Sequence, residues 1–427
     1  FRKTLERGII QFERFARVAE ESGARVIGGP EAWRLYDTFG FPVDLTRLMA
    51  EERGLTVDEV GYVAAQETAK EISRRGRSGT SDGAVDARVA VPLDVHLTAE
   101  MESLQIPKTD DSFKYTSPCI QDCQVLTLVQ DGKLLSSSQS ASDALVGIVL
   151  DRTNFYAEEG GQSADQGSLQ LIDAESGEVR AEFNVLSVQV YSGWVVHIGS
   201  VKFGTFAIGY SSISAAYDDL HRRSLRQNHS ATHLLNFALR QVVKTADEES
   251  IDQKGSLVAQ DRLRFDFNCA RPLQDEEILA LEASVNETIT KAWPVNTAVL
   301  TLAQARSISG LRAVFGETYP DPVRTVAMGP VDSFSTILAS PQDSKWTQFS
   351  IELCGGTHVR NTSEIGAFRV MAESNISKGI RRIVAVTGEA AERASQAALT
   401  LESRIDTLSE ALSEAISESR TLFTDAS

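Results

Sequence analysis

The chain has 427 residues, of which 42 are Lys or Arg and 59 are Asp or Glu, so its formal net charge is −17. A length of this order predicts two or more domains, and a hydrophobic content of 42% is enough for sizeable cores. No apolar run is long enough to cross a membrane, and four cysteines without close, even spacing argue against a secreted disulfide scaffold. We therefore expect a soluble chain from a reducing compartment, in which local basic clusters rather than net charge would bind any nucleic acid.

The first segment, residues 1–85, is predicted to be helical and to end in a linker. Apolar residues recur at helical spacing at Leu5, Ile9, Phe12, Phe15 and Val18. A second helical run is predicted over 57–72. Residues 74–83 are rich in turn formers and poor in apolar residues, which is typical of a flexible linker.

Residues 86–210 are predicted to form a small β-barrel. Stretches such as 144–150 and 194–198 are rich in β-branched residues and are separated by Gly and Ser turns.

Residues 211–388 are predicted to form an α+β core. The pattern indicates a histidine-bearing helix, a strand ending at 264–267, a helix over 275–291 and a loop with one Cys and one His. The Ser-rich stretch 333–344 is predicted to be a surface insertion.

Residues 389–427 are predicted to form one helix. Leu401, Ile405, Leu408, Leu412, Ala415 and Leu422 keep a seven-residue seam. The seam favours a coiled-coil-like helix that docks on itself or on a partner, and a plain amphipathic helix is the alternative. The fold class predicted from these segments is an α+β multidomain chain.

Two short motifs about 120 residues apart supply four candidate metal ligands. His229 and His233 are four residues apart in an apolar, helix-period stretch, so both imidazoles leave one helical face. Cys354 and His358 have the same spacing, and the Gly-Gly pair at 355–356 predicts a loop whose backbone approaches the helix closely. Mixed imidazole and thiolate ligation favours Zn²⁺.

The role of such a zinc ion is left open by the residues. A closed four-ligand shell is typical of structural zinc, whereas one loose ligand gives its place to water or substrate. A thermolysin-like peptidase is disfavoured, because Ser230 stands where the zinc-protease helix motif has its general-base Glu.

The motifs and the segments between them resemble the editing domain of the alanyl-tRNA synthetase family. The resemblance runs through 151–162, the His pair, 253–258, 262–267, the Cys/His pair and 378–383. Residues 109–115 and 311–324 look most like the eukaryotic cytosolic form. Residues 35–46 resemble the helical tail of the family's tRNA-recognition region. Because the chain begins at Phe1, without an initiator Met or a targeting segment, we expect a fragment of such an enzyme. The resemblance alone implies a cytoplasmic location, and an organellar form stays open.

The resemblance implies post-transfer editing, the hydrolysis of the aminoacyl ester of mischarged Ser-tRNA(Ala) and Gly-tRNA(Ala). Cys354 and Gln253 match positions implicated in editing, and Thr153 matches the residue that recognises the serine hydroxyl. Thr232 and Gln162 are further candidates. Ligation of alanine is not expected from this chain, because nothing in it resembles the ATP-binding motifs of the class II aminoacylation site.

The predicted partner is tRNA(Ala), and the predicted tRNA contacts are Lys378, Arg381, Arg382 and Arg226. Further basic candidates are Arg222, Arg223, Lys254, Arg262 and Arg264. The alternative for each is an ordinary solvated face. No membrane partner is expected, and self-association would use the C-terminal helix.

Two rival functions remain. The first is a non-catalytic tRNA-binding module whose zinc only stabilises the fold. The second is a freestanding trans-editing deacylase, or the related threonyl-type editing domain, which shares the metal motifs. The 35–46 block argues against the second rival, since it resembles a synthetase segment that a freestanding editor does not need.

Overall fold

The structure is a computed structural model that describes residues 2–21, 25–39, 43–59, 61–63, 91, 93–139, 145–243, 251–313, 318–377 and 379–424. The chain divides into two units, Phe1–Ala84 and Val85–Ser427. The predicted linker at 74–83 and the predicted tRNA contact Lys378 lie outside the described residues. Within the described part, every helix is too short or too polar to cross a membrane.

The described residues of the first unit include three helices with defined bounds and one short parallel strand pair. These are α1 (Arg2–Glu21), β1 (Val26–Ile27), α2 (Gly29–Phe39), α3 (Val43–Glu52) and β2 (Thr56–Val57). Its core includes Phe12 and Leu35, both without exposed surface, whereas Val18 from the predicted apolar stripe is 59% exposed. Of the helical run predicted over 57–72, residues 59 and 61–63 are helical, and 60 and 64–72 lie outside the described residues. Only its start is wrong, because Val57 pairs with Ile27 in the β1–β2 ladder.

The second unit begins with α4 (Val95–Ser103) and a large antiparallel sheet. The strands of this region are β3 (Cys119–Cys123), β4 (Val125–Gln130), β5 (Lys133–Leu135), β6 (Ser137–Gln139), β7 (Val146–Leu150), β8 (Gly167–Ile172), β9 (Val179–Tyr191), β10 (Trp194–Phe203), β11 (Thr205–Ala207) and β12 (Ile213–Tyr217). Eight of them form one sheet in the order β3-β12-β8-β9-β10-β7-β4-β5, and β6 pairs with β11.

The β-rich prediction for this region is confirmed at β7 and β10, which cover the two stretches that signalled it. The β-branched residues of β7 are buried along its whole length, since both faces of the strand meet apolar side chains. Among the described residues, no hydrogen-bonded pairing joins the end strands β3 and β5. The small β-barrel therefore stays a prediction.

The rest of the unit is α+β, as predicted. Its elements are α5 (Asp219–Val242), β13 (Gln253–Val258), β14 (Leu263–Asn268), α6 (Asp275–Thr290), β15 (Val295–Leu300), α7 (Leu302–Arg306), β16 (Leu311–Arg312), β17 (Val323–Met328), α8 (Phe334–Ala339), β18 (Ser350–Leu353), β19 (Phe368–Ser377), β20 (Ile380–Thr387) and α9 (Gly388–Thr424). Two four-stranded sheets result, with the orders β13-β14-β20-β19 and β15-β17-β18-β16. α5 and α6 share one apolar core with the first of them.

The stretch 333–344, predicted to be a surface insertion, lies only partly at the surface. Six of its residues are exposed, but Phe334 and Ile337 of α8 are buried with the nearby Trp346 and join the core of the β15-β17-β18-β16 sheet. The abundance of serine concealed apolar residues that lie three apart on one side of a short helix.

The C-terminal helix α9 contacts β19 and β20 near its start, where Ala391 is fully buried. Further along, the seam residues Leu401, Ile405, Leu408 and Leu412 are between 56 and 67% exposed. Self-association through this seam stays a prediction.

A buried ion pair joins the large sheet region to α5. Arg222 and Asp165 have no exposed surface, and the guanidinium donates two hydrogen bonds to the carboxylate, the Nε bond at 2.7 Å. Two further N–H groups donate to the carbonyls of Lys114 and Asn154, at 2.7 and 3.0 Å. The predicted role of Arg222 as a phosphate contact is therefore wrong, because its side chain has no exposed surface and its charge is paired with that of Asp165.

We expect replacement of Asp165 by Ala to destabilise the chain by about 3–5 kcal/mol, since it leaves the guanidinium of Arg222 buried without a counter-charge. Urea unfolding followed by circular dichroism measures the loss. The neighbouring arginine is exposed, so Arg223→Ala is the matched control and should leave the midpoint almost unchanged. Equal midpoints for both variants would contradict a structural role for the ion pair.

Candidate metal centre

The first half of the site lies on α5. His229 and His233 are 6% and 4% exposed, and their ring centroids are 5.3 Å apart on one side of the helix. α5 has the length and amphipathic pattern to bury this face, and the side chain of Asp218 caps its first turn by accepting from the amides of Leu220 and His221. The predicted common helical face is confirmed.

The second half of the site is the loop that follows β18. Gly356 lies so close to α5 that a Cβ atom there would be 2.0 Å from Cε1 of His229, so no other residue fits without a shift. Gly355 differs, because a Cβ atom at that position would meet nothing within 4 Å. The predicted close approach of the loop is confirmed for Gly356 and wrong for Gly355.

The two halves meet in one four-residue cluster that can hold a metal ion. One ligand atom from each of His229, His233, Cys354 and His358 lies within 4.8 Å of the others. The sulfur of Cys354 is 3.4 Å from Nε2 of His229 and 3.4 Å from Nε2 of His358. Tetrahedral zinc bonds of about 2.0–2.1 Å to nitrogen and 2.3 Å to sulfur place such atoms roughly 3.6 Å apart. The donor set and its spacing therefore fit zinc.

Burial controls the protonation of this cluster. It lowers the pKa of all three imidazoles, that of His233 to about 3, and the positive charge of Arg324 adds to the shift. The rings are thus neutral at physiological pH, as metal binding requires. Burial also raises the pKa of the Cys354 thiol to about 12, so binding as a thiolate would release its proton.

Gln162 orients His229 from the large sheet region. Its Oε1 accepts from Nδ1 of His229 at 2.7 Å and from the amide of Thr357 at 2.9 Å, while its Nε2 donates to the hydroxyl of Thr357. A proton on Nδ1 leaves the lone pair of Nε2 facing Cys354. The hydroxyl of Ser230 lies beside Nδ1 of His358, at 3.3 Å, as Gln162 lies beside Nδ1 of His229. Such outer hydrogen bonds determine which nitrogen can bind a metal.

Glu352 is a buried acid that the sequence reasoning missed. Its Oε2 lies 3.7 Å from Nδ1 of His233, and its Oε1 accepts from Nδ2 of Asn236 at 2.9 Å. Burial raises the pKa of Glu352 to about 8. The available signal was its place two residues before Cys354, because alternate residues of a strand share a face.

The cluster borders a cavity of about 600 Å³. Its walls include His229, His233 and Cys354, together with Gln253 and Thr232, which the sequence also predicted. Sequence reasoning missed several other lining residues: Lys114, Tyr115, Tyr156, Arg240, Arg312, Arg324 and Glu352. Gln253 donates from Nε2 to Ser256 at 3.1 Å, so its carbonyl oxygen is the end available to a ligand.

Thr153 is not brought to this cavity. It has no exposed surface, and its hydroxyl lies 2.7 Å from Nε2 of His197 and accepts from the amide of Phe155 at 3.1 Å. His197 donates from Nδ1 to the carbonyl of Ile148, and burial lowers its pKa to about 4, so it is the neutral acceptor for the threonine hydroxyl. The predicted contact between Thr153 and a substrate hydroxyl stays a prediction.

Among the described residues, three of the predicted tRNA contacts bind other side chains of the protein. Arg381 forms a two-point ion pair with Glu373, and Arg382 forms one with Asp266 at 2.7 and 2.9 Å. Arg226 donates to the hydroxyl of Tyr217 at 3.1 Å and lies 3.9 Å from Asp219. Their predicted role is untested, and the paired charges would have to be shared with a phosphate.

Comparison with known proteins gives the family. The profile described as tRNA synthetases class II (A) matches residues 1–220, and that of the threonyl and alanyl tRNA synthetase second additional domain matches residues 323–384. The alanine–tRNA ligase of Candida albicans is 45% identical over 99% of this chain. The mitochondrial enzyme of Saccharomyces cerevisiae and the cytoplasmic enzyme of Caenorhabditis elegans are 43% and 40% identical, each over 95% of it.

These matches place the chain among the class II aminoacyl-tRNA synthetases. More narrowly, the chain belongs to the alanyl-tRNA synthetase family, whose members are enzymes of protein biosynthesis. It spans 41%, 39% and 41% of the length of the three relatives. Since the relatives include cytoplasmic and mitochondrial enzymes, the expected cytoplasmic location stays a prediction.

We expect Gly356→Ala to bind zinc much more weakly than the wild type, because the added methyl group pushes the loop away from His229. Loss of a hydrogen bond to a metal-binding residue typically lowers metal affinity by about 10–100-fold. The Gly356→Ala change should also shift the loop that carries Cys354 and His358. Gly355→Ala is the matched control and should bind normally. The measurement is zinc affinity by competition with a chromogenic chelator, and equal affinities for the two variants would contradict the close packing.

Proposed function

We propose that this chain carries the post-transfer editing activity of an alanyl-tRNA synthetase. The reaction is hydrolysis of the ester that links serine or glycine to tRNA(Ala). The observation that carries the proposal is a buried His229, His233, Cys354 and His358 cluster on the wall of a cavity of about 600 Å³. That volume is within the range of pockets that enclose small ligands, roughly 300–1,000 Å³.

Zn²⁺ is the cofactor we propose, and the four cluster residues would hold it. When bound, zinc supplies a Lewis acid that polarises an ester carbonyl or acidifies a water molecule. The chain itself supplies the orientation of the ligands. Gln162 keeps the Nδ1 proton of His229 engaged, and Ser230 does the same for His358, so that the Nε2 atoms of both rings face Cys354.

Polar groups of the cavity wall would position the aminoacyl ester. Gln253 presents an amide oxygen that can accept a hydrogen bond from the substrate ammonium group or from the attacking water. Thr232 donates its own proton to the carbonyl of Asn228 at 2.8 Å, so its oxygen also faces the site as an acceptor. Tyr156 is buried at the wall and excludes bulk water from this side.

The RNA part of the substrate would enter past basic residues. Lys254 and Arg312 are exposed at the cavity and have no ion-pair partner among the described residues, in contrast to Arg381 and Arg382. Arg226, Arg381 and Arg382 are proposed to contact the tRNA farther from its acceptor end. Lys378 is proposed as a further contact, although it lies outside the described residues. The same proposal includes the selective hydrolysis of serine and glycine esters, tRNA(Ala) as the partner, and a dimer formed through α9.

The proposed division of labour follows the predicted domains. Residues 1–85 would be the tail of the tRNA-recognition region and its linker. The segment 86–210, predicted as a β-barrel, would close one wall of the cavity, 211–388 would carry the metal centre, and 389–427 would be the C-terminal helix.

One observation favours a second candidate, a tRNA-binding module with structural zinc. Four protein ligands lie within reach of one ion, which is the complete shell of a structural site. This candidate predicts tRNA binding and zinc-dependent stability without any hydrolysis.

We expect the zinc-loaded chain to hydrolyse Ser-tRNA(Ala) and Gly-tRNA(Ala) faster than Ala-tRNA(Ala). Cys354→Ala should lower the rate by more than about 100-fold, because even outer contacts of a metal cost about 10–100-fold. Single-turnover deacylation at saturating protein measures the rates, with zinc content and circular dichroism recorded for each variant.

Gln253→Ala separates the two candidates. If the site edits, the Gln253→Ala variant keeps its zinc and its fold but loses hydrolysis. If the zinc is structural, the variant equals the wild type in zinc content and fold, and neither protein hydrolyses the ester. Gln260→Ala, an exposed glutamine outside the cavity wall, is the matched control. Spontaneous rates of ester loss with the wild type would rule out editing and leave the structural module.

Thr153→Val tests the proposed recognition of serine. If Thr153 binds the serine hydroxyl, the rate for Ser-tRNA(Ala) falls relative to that for Gly-tRNA(Ala), because only serine offers the hydroxyl. Paired single-turnover assays on the two substrates give this ratio. An equal fall for both substrates would assign Thr153 to supporting the fold through His197 instead.

A further inference from the structure

Three successive carbonyl groups of the ligand loop are bound by only two side chains. Nη1 of Arg324 donates to the carbonyls of Cys354 and Gly356, each at 2.9 Å. The carbonyl between them, that of Gly355, accepts from the hydroxyl of Tyr115 at 2.5 Å. We call Tyr115 and Arg324 the carbonyl clamp.

The two clamp residues come from distant parts of the chain and contact each other. Tyr115 ends a 3₁₀ turn, Ser112–Tyr115, before the large sheet, whereas Arg324 lies on β17 beside the loop. The guanidinium carbon of Arg324 is 4.3 Å from the ring centroid of Tyr115, a cation–π contact. The backbone of Arg324 adds a further contact, since its carbonyl accepts from the amide of Cys354 at 3.1 Å.

The clamp determines where the amides of the loop point. A peptide unit is planar and trans, so its N–H is directed opposite to its carbonyl. With the Gly355 carbonyl on Tyr115, the next amide, that of Gly356, donates to the sulfur of Cys354 at 3.4 Å. With the Gly356 carbonyl on Arg324, the amide of Thr357 donates to Gln162 at 2.9 Å.

Both of these amides support the metal cluster. The first offers a hydrogen bond to the sulfur ligand, and the second holds the Gln162 oxygen that also accepts from His229. The remaining amide, that of Gly355, has no partner among the described residues, and Gly355 lies on the cavity wall. It is therefore a donor that a ligand in the cavity can use.

We propose that Tyr115 and Arg324 are positioning residues of the metal centre. By holding the carbonyls of residues 354–356, they turn the amides of 355, 356 and 357 toward the cavity, Cys354 and Gln162, respectively. Neither residue needs to contact the substrate for this role. The consequence for hydrolysis rests on the editing function proposed above, whereas the consequence for metal binding does not.

Tyr115→Phe is the sharpest test, because it keeps the ring on Arg324 and removes only the donor to Gly355. Tyr115 is 38% exposed, so the change leaves no buried void. We expect zinc affinity to fall about tenfold, the lower end of what outer contacts contribute. The Co²⁺-substituted protein should also show a weaker thiolate-to-metal absorption band.

The matched control is Tyr191→Phe, which removes a tyrosine hydroxyl that donates to Gln189 at 2.5 Å and does not line the cavity. Its zinc affinity and cobalt spectrum should equal those of the wild type. Arg324→Lys keeps the positive charge but loses the planar fork, and it should change the cobalt spectrum in the same direction as Tyr115→Phe. Because both act on one loop, the double variant should lose less than the product of the single losses.

The outcomes separate the two proposals. If the wild type hydrolyses Ser-tRNA(Ala) and Tyr115→Phe matches Tyr191→Phe in zinc affinity, cobalt spectrum and rate, the clamp is overturned and editing stands. If the wild type shows no hydrolysis but Tyr115→Phe weakens zinc binding and alters the spectrum, the clamp stands and editing fails. A wild type that binds neither zinc nor cobalt would overturn the clamp together with its metal site.

Discussion

The buried pair of Arg222 and Asp165 is the interaction on which the geometry of the site depends. Removal of two charges from water costs several kcal/mol per ion, and only full hydrogen bonding offsets that cost. Here both oxygens of the carboxylate accept from the guanidinium, whose other donors bind backbone carbonyls. The large sheet region and the first turn of α5 are therefore joined at one orientation. Gln162, three residues before Asp165, contacts His229 across the same junction of sheet region and helix.

The candidate metal centre is assembled from three separate segments, and none of them contains it alone. α5 brings two imidazoles, the loop after β18 brings the thiol and the third imidazole, and the large sheet region brings Gln162. Gly356 permits the approach of loop and helix, because any side chain at that position would overlap the ring of His229. Burial then keeps the imidazoles neutral, so the same packing that shapes the site prepares its ligands.

An acidic chain that is proposed to bind RNA must concentrate its available positive charge. Most arginines in the metal-bearing region have an internal use: Arg222, Arg381 and Arg382 pair with buried or partly buried carboxylates, and Arg324 binds backbone carbonyls. Lys254 and Arg312 are exposed at the cavity instead. The distribution would place attraction for phosphate at the mouth of the site, where it can guide an RNA end without strengthening binding elsewhere.

The sequence by itself determined the features that depend on local periodicity and ligand chemistry. It predicted the common face of His229 and His233, the helix that is α6 and the β-rich stretches of β7 and β10, because each pattern is complete within a few residues. It also grouped Cys354 and His358 with the two histidines as one candidate metal site, since few residue types bind zinc. Only the tertiary structure decided that Arg222 is internal, that Thr153 faces His197, that α8 belongs to a core, and that Glu352 and Tyr115 border the site. The physical reason is that burial and hydrogen-bond partners are properties of segments that meet across the fold, as Tyr115 and Gly355 do over 240 residues of sequence.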